Sequence, residues 1–93
     1  MALLAACHPD SEPGACLREK DNACVEYDRD TATAGKSKCV GFSWTNACPA
    51  ENRLGSCVRE AGKVVETMYA GAPNHYTAAI AKQTCEGSGG AFR

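Results

Sequence analysis

The seven cysteines are the side chains of this 93-residue sequence with the widest choice of chemistry: Cys7, Cys16, Cys24, Cys39, Cys48, Cys57 and Cys85. Zinc knuckles and thioredoxin-like redox sites both use a C-x-x-C pair, because two ligands or two sulfurs must meet across one turn. No two of these cysteines have that spacing. The sequence therefore predicts no metal site and no cofactor, places His8 and His75 on the solvated surface, and favours disulfides.

An odd number of cysteines leaves one outside any set of intramolecular bridges. Cys7 ends the segment Leu4-Ala5-Ala6-Cys7, which resembles the lipobox of bacterial lipoproteins, whose cysteine carries a diacylglyceryl group. The resemblance implies a lipid on Cys7, and this would leave six cysteines, an even set for three bridges. Because Met1-Ala2-Leu3 lacks the basic and long apolar segments of a leader, a free or intermolecularly paired Cys7 is the alternative.

The lipobox resemblance also divides the chain. It implies that residues 1–6 are the remnant of a signal peptide and that residues 7–15, which are rich in proline and acids, hold the lipid-anchor site and a flexible tether. Residues 16–93 are expected to form a single disulfide-stapled domain. Its six cysteines, from Cys16 to Cys85, are the predicted disulfide residues.

Hydrophobic alternation and turn residues predict an antiparallel sheet with one or two short helices. A strand is expected at 23–27, and a hairpin is expected to join 54–60 to 63–69. Helices are expected at 31–38 and 77–85. The predicted fold class is thus α+β, small and disulfide-rich.

Two other segments carry expectations of their own. Residues 16–22 are predicted to be a polar loop. The stretch 39–57 contains the single tryptophan, and alternation places Phe42 and Trp44 on one face of a strand. We expect those two rings to face a core shared by two halves of the domain.

An internal echo supports the idea of two halves. Residues 31–39 and 77–85 match in Thr, Ala, Lys and Cys, which indicates a strand-helix-strand unit used twice. Six cysteines allow fifteen connectivities. Pairing the strand cysteine of each unit with its helix cysteine predicts Cys24 with Cys39 and Cys57 with Cys85, leaving Cys16 with Cys48.

Charge and motif content narrow the function classes. A formal net charge of −1 disfavours a nucleic-acid partner, because phosphate binding needs a basic face. The glycine cluster at 87–90 follows a predicted helix, whereas phosphate loops precede one. No serine lies in a G-x-S-x-G elbow, and the acidic residues concentrate near the N-terminus. We therefore expect no catalytic residues and no enzymatic activity.

The domain itself resembles the small cysteine-rich exported proteins and lipoproteins of bacteria that have no assigned function. The resemblance runs over roughly residues 16–92. It is carried by Cys-Val-Glu-Tyr at 24–27, Gly-Phe-Ser-Trp after Cys39, Ala-Cys-Pro at 47–49, Arg-Leu-Gly-Ser-Cys at 53–57, Tyr69, and the segment 85–92. The resemblance implies export and disulfides, and it carries over no catalytic residues.

Two functions remain open at this point. The first is a lipid-anchored interaction or structural module of the bacterial cell envelope, held at a membrane through Cys7 and binding an unknown protein or its own copies. Its contact residues are expected among the aromatic side chains Trp44, Tyr69 and Tyr76. The alternative is a small secreted inhibitor or effector that acts by binding.

Overall fold

A computed structural model describes residues 12–93. They form one antiparallel sheet of six strands in the order β3-β1-β2-β5-β4-β6, with two helices packed against it. The strands are β1 (Gly14–Arg18), β2 (Ala23–Tyr27), β3 (Ser43–Thr45), β4 (Arg53–Arg59), β5 (Val64–Tyr69) and β6 (Ala91–Phe92). The helices are α1 (Ala32–Lys38) and α2 (Ala78–Gly87). The predicted class, a small disulfide-rich α+β fold, is confirmed.

The chain uses one structural unit twice. Each unit is a hairpin closed by a short 3-10 turn, followed by a helix and a short edge strand: β1, β2, α1 and β3, then β4, β5, α2 and β6. The hairpins share the sequence Gly-x-Cys-x-Arg-Glu, at 14–19 and at 55–60. The unit predicted from the echo is therefore present, with an additional strand at its start.

The two units meet at the centre of the sheet, where β2 pairs with β5. In that pairing Val25 lies opposite Glu66. Val25 and Glu66 are also equivalent residues of the two units, because they are as far apart in the sequence as the equivalent cysteines Cys16 and Cys57. A pseudo-twofold axis therefore passes through this pair, perpendicular to the sheet. Outward from the axis, β1 and β4 are equivalent, as are the edge strands β3 and β6.

The first strand lies where a polar loop was expected. β1 begins at Gly14, so residues 14 and 15 belong to the sheet rather than to the predicted tether, and the predicted loop at 16–22 is wrong. Its first residues are small and apolar, and Gly14, Ala15 and Cys16 are buried. The polar run that follows is the turn of the hairpin, which closes at Asn22 in the left-handed conformation, with φ of 53°.

The two faces of the sheet have different cover. On the helix face, one row of side chains runs Trp44, Cys16, Val25, Glu66, Cys57 and Phe92 across all six strands. We call the other face, which bears Leu17, Cys24, Thr67 and Tyr69, the linker face. Residues 46–52, the linker between the two units, lie against it. The linker thus covers the side of the sheet that the helices leave open.

The core is built from small side chains. Apart from Val25, Val64, Met68 and Tyr69, every buried apolar residue in the described range is an alanine or a half-cystine. Phe42 and Trp44 are only half-buried at the β3 edge, so the expectation that they face a shared core is wrong. The reason is the strand order, which places β3 at the outer edge of its unit rather than between the units.

Local signals explain both helices. Thr77 caps α2, because its Oγ1 accepts a hydrogen bond from the Ile80 amide at 3.2 Å. Before α1, the Asp28 carboxylate accepts from the amides of Asp30 and Thr31 at 3.0 and 3.1 Å. Neither helix, nor any other within residues 12–93, has the length and apolar content that crossing a membrane requires.

Candidate binding site on the linker face

All six cysteines of the described range form disulfides, and two of these are equivalent by the pseudo-twofold axis. Cys16 pairs with Cys39 and Cys57 pairs with Cys85. Each bond ties a hairpin to the C-terminal end of the helix of its own unit, on the helix face: Cys39 directly follows α1, and Cys85 lies in the last turn of α2. The predicted pair Cys57–Cys85 is therefore present.

The third disulfide joins Cys24 to Cys48, so the predicted pairs Cys24–Cys39 and Cys16–Cys48 are wrong. Sheet register explains the exchange. Cys16 lies opposite Val25, which places the neighbouring Cys24 on the other side of the sheet from helix α1. Cys24 can reach only the linker, which contains Cys48. This bond has no counterpart in the second unit, where Val65 occupies the position of Cys24.

The three aromatic residues expected as contacts lie in different surroundings. Trp44 is half-buried and its ring stacks on that of Tyr27, with centroids 5.9 Å apart. Tyr76 is half-buried against the cluster that contains Met68 and Cys85. Tyr69 is only 6% exposed, so it is a wall residue rather than an exposed contact. The structure does not bring the three together, and Cys7 lies outside the described residues.

A cleft of about 410 Å³ opens where the β1–β2 turn, the end of β5 and the linker meet. We call it the linker cleft. It is lined by Leu17, Glu19, Asn22, Ala23, Pro49, Glu51, Asn52, Tyr69, Ala70 and Ala72. Its volume lies within the range of about 300 to 1,000 Å³ that is usual for small-ligand sites.

Hydrogen bonds and one disulfide fix the linker wall of this cleft. The Tyr69 hydroxyl donates to the Pro49 carbonyl at 2.7 Å, and the Ala70 amide donates to the Asn52 carbonyl at 2.8 Å. The Cys24–Cys48 bond attaches the linker to β2 just beside these contacts. Because three independent links hold it, the wall is formed before any ligand arrives.

The opposite wall is held by Asn22. Its side-chain amide donates to the carbonyls of Tyr69 and Gly71, at 2.9 and 2.8 Å, and its own carbonyl accepts from the Tyr69 amide at 3.0 Å. The left-handed conformation of Asn22 turns the side chain toward the end of β5. One residue therefore joins the first hairpin to the segment that follows the second.

Charge in the linker cleft is negative. Glu19 and Glu51 are exposed, and within residues 12–93 neither forms an ion pair; the cleft lining includes no lysine or arginine. Burial raises the pKa of Tyr69, the nearby Glu26 carboxylate raises it further, and Arg53 opposes the rise. The Tyr69 hydroxyl thus stays protonated and keeps donating to Pro49 at neutral pH.

A smaller cleft of about 180 Å³ lies on the other side of Pro49 and has a different character. Ser56 and Thr67 share a buried hydrogen bond of 2.8 Å between their hydroxyls, and the Arg53 guanidinium donates to the Ser56 oxygen at 2.8 and 3.2 Å. The polar side chains of this smaller cleft thus form hydrogen bonds with one another. The linker therefore separates the acidic linker cleft from a smaller cleft in which Arg53, Ser56 and Thr67 are already hydrogen-bonded to one another.

No protein-family model, no curated protein and no solved structure matches the chain. Within residues 12–93, no three His, Cys, Asp or Glu side chains are grouped so as to hold a metal ion.

Of the residues that line the linker cleft, the sequence patterns select only Tyr69. The polar loop predicted for 16–22 includes Glu19 and Asn22, and no sequence pattern selects Glu51. The available signal was the repeated Gly-x-Cys-x-Arg-Glu, which identifies 14–18 as a strand and places Glu19 and Asn22 at the turn of a hairpin.

Proposed function

We propose that the chain is an exported, disulfide-stabilised binding module that a lipid on Cys7 anchors in the bacterial cell envelope. The disulfides themselves are typical of an oxidising, extracellular-type environment. The anchor, the envelope and the protein partner are the parts of the proposal that need a test.

One observation carries the proposal. The six cysteines of residues 12–93 all pair with one another, so none of them remains for Cys7. Cys7 therefore has no intramolecular partner among them, and the resemblance of Leu4-Ala5-Ala6-Cys7 to a lipobox supports a lipid at this position. A lipid at that position would hold the domain near the membrane through a short segment ahead of β1, which begins at Gly14.

The structure of the domain supports binding as its activity. The linker cleft is held by links that are independent of any ligand, and it is lined by two carboxylates, two side-chain amides, a tyrosine and apolar groups. Such groups recognise a partner through charge and shape. Preorganisation of this kind reduces the ordering cost of association.

The decisive experiment is the intact mass and membrane partition of the protein isolated from its native source. The proposal expects a detergent-phase protein whose mass includes a diacylglyceryl group, and whose full reduction adds six hydrogens from three disulfides. The Cys7→Ser variant should move to the aqueous phase with the disulfides intact.

A soluble native protein with an unmodified Cys7 would overturn the anchor. That result favours the second candidate, a small secreted inhibitor or effector that acts by binding. The Cys7→Ser variant also serves as the control for folding, since its six remaining cysteines are those that the structure pairs.

A further inference from the structure

We propose that the linker cleft binds the side chain of a lysine or arginine presented by a partner protein. This inference deepens the proposed function, because it rests on the proposal that the module acts by binding and adds the chemistry of what is bound.

Part of the cleft wall is apolar, beside the polar side chains of Glu19, Asn22, Glu51 and Asn52. Leu17 and Tyr69 belong to the cluster that surrounds the buried Cys24, and Pro49 and Ala72 add apolar surface at the sides. An aliphatic chain that enters here replaces water on these groups and gains from the hydrophobic effect. A small hydrated ion gains nothing from such a surface.

The charge of the cleft selects the head group. Glu19 and Glu51 are both exposed, and no lysine or arginine of residues 12–93 pairs with either. A metal ion requires more oxygen or nitrogen ligands than two carboxylates supply. In the described part of the chain, no three His, Cys, Asp or Glu side chains are grouped so as to hold one. A cation on an apolar stem matches both parts of the site, and lysine and arginine side chains have that form.

The third disulfide, Cys24–Cys48, stabilises one wall of the linker cleft. The two pseudo-equivalent bonds fasten the helices, whereas Cys24–Cys48 fastens the linker that forms one wall of the cleft. The second unit has Val65 at the position of Cys24 and has no such bond. The asymmetry between the two units is thus located at the cleft, where the first unit has a wall that the second lacks.

The test is a nuclear magnetic resonance titration of the oxidised full chain at low ionic strength with two probes. Nα-acetyl-lysine methylamide carries the ammonium group, and Nα-acetyl-norleucine methylamide has a stem of similar length without it. We expect the lysine probe to bind with a Kd in the millimolar range, as is usual for a ligand of this size. The shifted amides should include Leu17, Asn22, Asn52 and Ala70.

Three comparisons separate the proposal from simple apolar binding. The norleucine probe should bind at least about fivefold more weakly, and the Glu19→Gln/Glu51→Gln variant should weaken the lysine probe by a similar factor, as for exposed ion pairs. The matched control Glu86→Gln removes one exposed charge from α2, outside the cleft, and should leave the affinity within about twofold. Raising the salt concentration should weaken the lysine probe.

Equal affinity for the two probes, amide shifts located elsewhere, or an unchanged Kd in the double variant would each overturn the proposal. The outcome is independent of the anchor. If the native protein is lipidated but shows no lysine-dependent shifts, the proposed anchor stands and the proposed binding in the cleft is rejected. If the native protein is soluble but shows such shifts, the anchor is rejected and the binding in the cleft stands.

Discussion

At the scale of single residues, the two units pack a helix against the sheet with different pairs of side chains. Tyr27 in the first unit and Met68 in the second occupy equivalent positions on the helix face, and each lies under a helix. The helix residue that lies over Tyr27 is Gly35, while the helix residue that packs on Met68 is Ala81. A larger strand side chain is thus matched by a smaller helix residue, so that both helices approach the sheet closely.

The first prediction concerns Gly35→Ala. A Cβ at Gly35 would lie 2.6 Å from carbons of the Tyr27 ring, and stacking on Trp44 limits how far that ring can move. We expect the variant to lose about 1 to 3 kcal/mol of unfolding free energy in urea, although alanine favours helix more than glycine.

The matched control is Gly87→Ala, the same exchange in α2. No atom lies within 4 Å of a Cβ built there, and so the change should be neutral or stabilise by roughly 0.5 kcal/mol. Equal effects of the two substitutions would show that the contact between Tyr27 and Gly35 carries no stability.

The second prediction concerns pH and Tyr69. Burial raises the pKa of Tyr69 above the usual 10.0, so at alkaline pH the folded state keeps a proton that the unfolded state has lost. The resulting stability is fully present below about pH 10 and falls as the pH rises through the folded pKa. Unfolding free energies measured in urea over a series of alkaline pH values should therefore decline.

Tyr69→Phe should make that decline shallower without abolishing it, because burial also raises the pKa of Tyr27. At neutral pH the variant should be about 1 kcal/mol less stable, since it leaves the Pro49 carbonyl without its 2.7 Å donor. Tyr76→Phe serves as the comparison. An alkaline decline that is the same in wild type and Tyr69→Phe would contradict the prediction.

At the scale of elements, the sequence allowed the second unit to be predicted better than the first. The hairpin at 54–60 and 63–69 and the helix at 77–85 correspond to β4, β5 and α2. Both have ordinary signals: strands around Ala61-Gly62 and a helix that follows a threonine cap. Those signals are local, and a single sequence displays local signals directly.

The elements that were missed depend on partners far along the chain. β1 contains only five residues and is followed by a charged turn, so its strand character comes from pairing with β2 and β3 on its two sides. The pairing of Cys24 depends on which face of the sheet it occupies, and that follows from register. The cleft residues come from three separate segments, and no local pattern links Glu19 to Glu51.

The third prediction compares two disulfides. Cys57→Ala/Cys85→Ala removes the bond between α2 and β4, and α2 buries only Ala81 and Cys85. We expect a loss of about 2 to 5 kcal/mol together with a loss of helical circular dichroism, because α2 has little other attachment.

Cys24→Ala/Cys48→Ala is the matched control. Its bond spans 24 residues of sequence against 28, so the entropic cost of removing it is similar. Both helices lie on the other face, and the helical signal should be retained at low temperature. A larger loss of helical signal in this variant than in Cys57→Ala/Cys85→Ala would contradict the assignment of the bonds to opposite faces.

At the scale of the whole molecule, two units that each have little core form one sheet. β2 and β5 pair over five positions around the pseudo-twofold axis, and the linker crosses the opposite face. Only four buried apolar side chains in the described range are larger than cysteine. Cross-links must therefore supply stability that a larger core would otherwise provide.

The last prediction follows from that composition. Three disulfides contribute roughly 3 kcal/mol each. Their combined contribution is comparable to the whole unfolding free energy of a small domain, which is about 5 to 15 kcal/mol. Full reduction should therefore unfold both units together, with loss of the sheet signal in circular dichroism and of dispersion in the amide spectrum. Thiol titration must first establish that all six half-cystines are reduced. A native spectrum that persists after complete reduction would mean that the pairing of β2 with β5 holds the molecule without its cross-links.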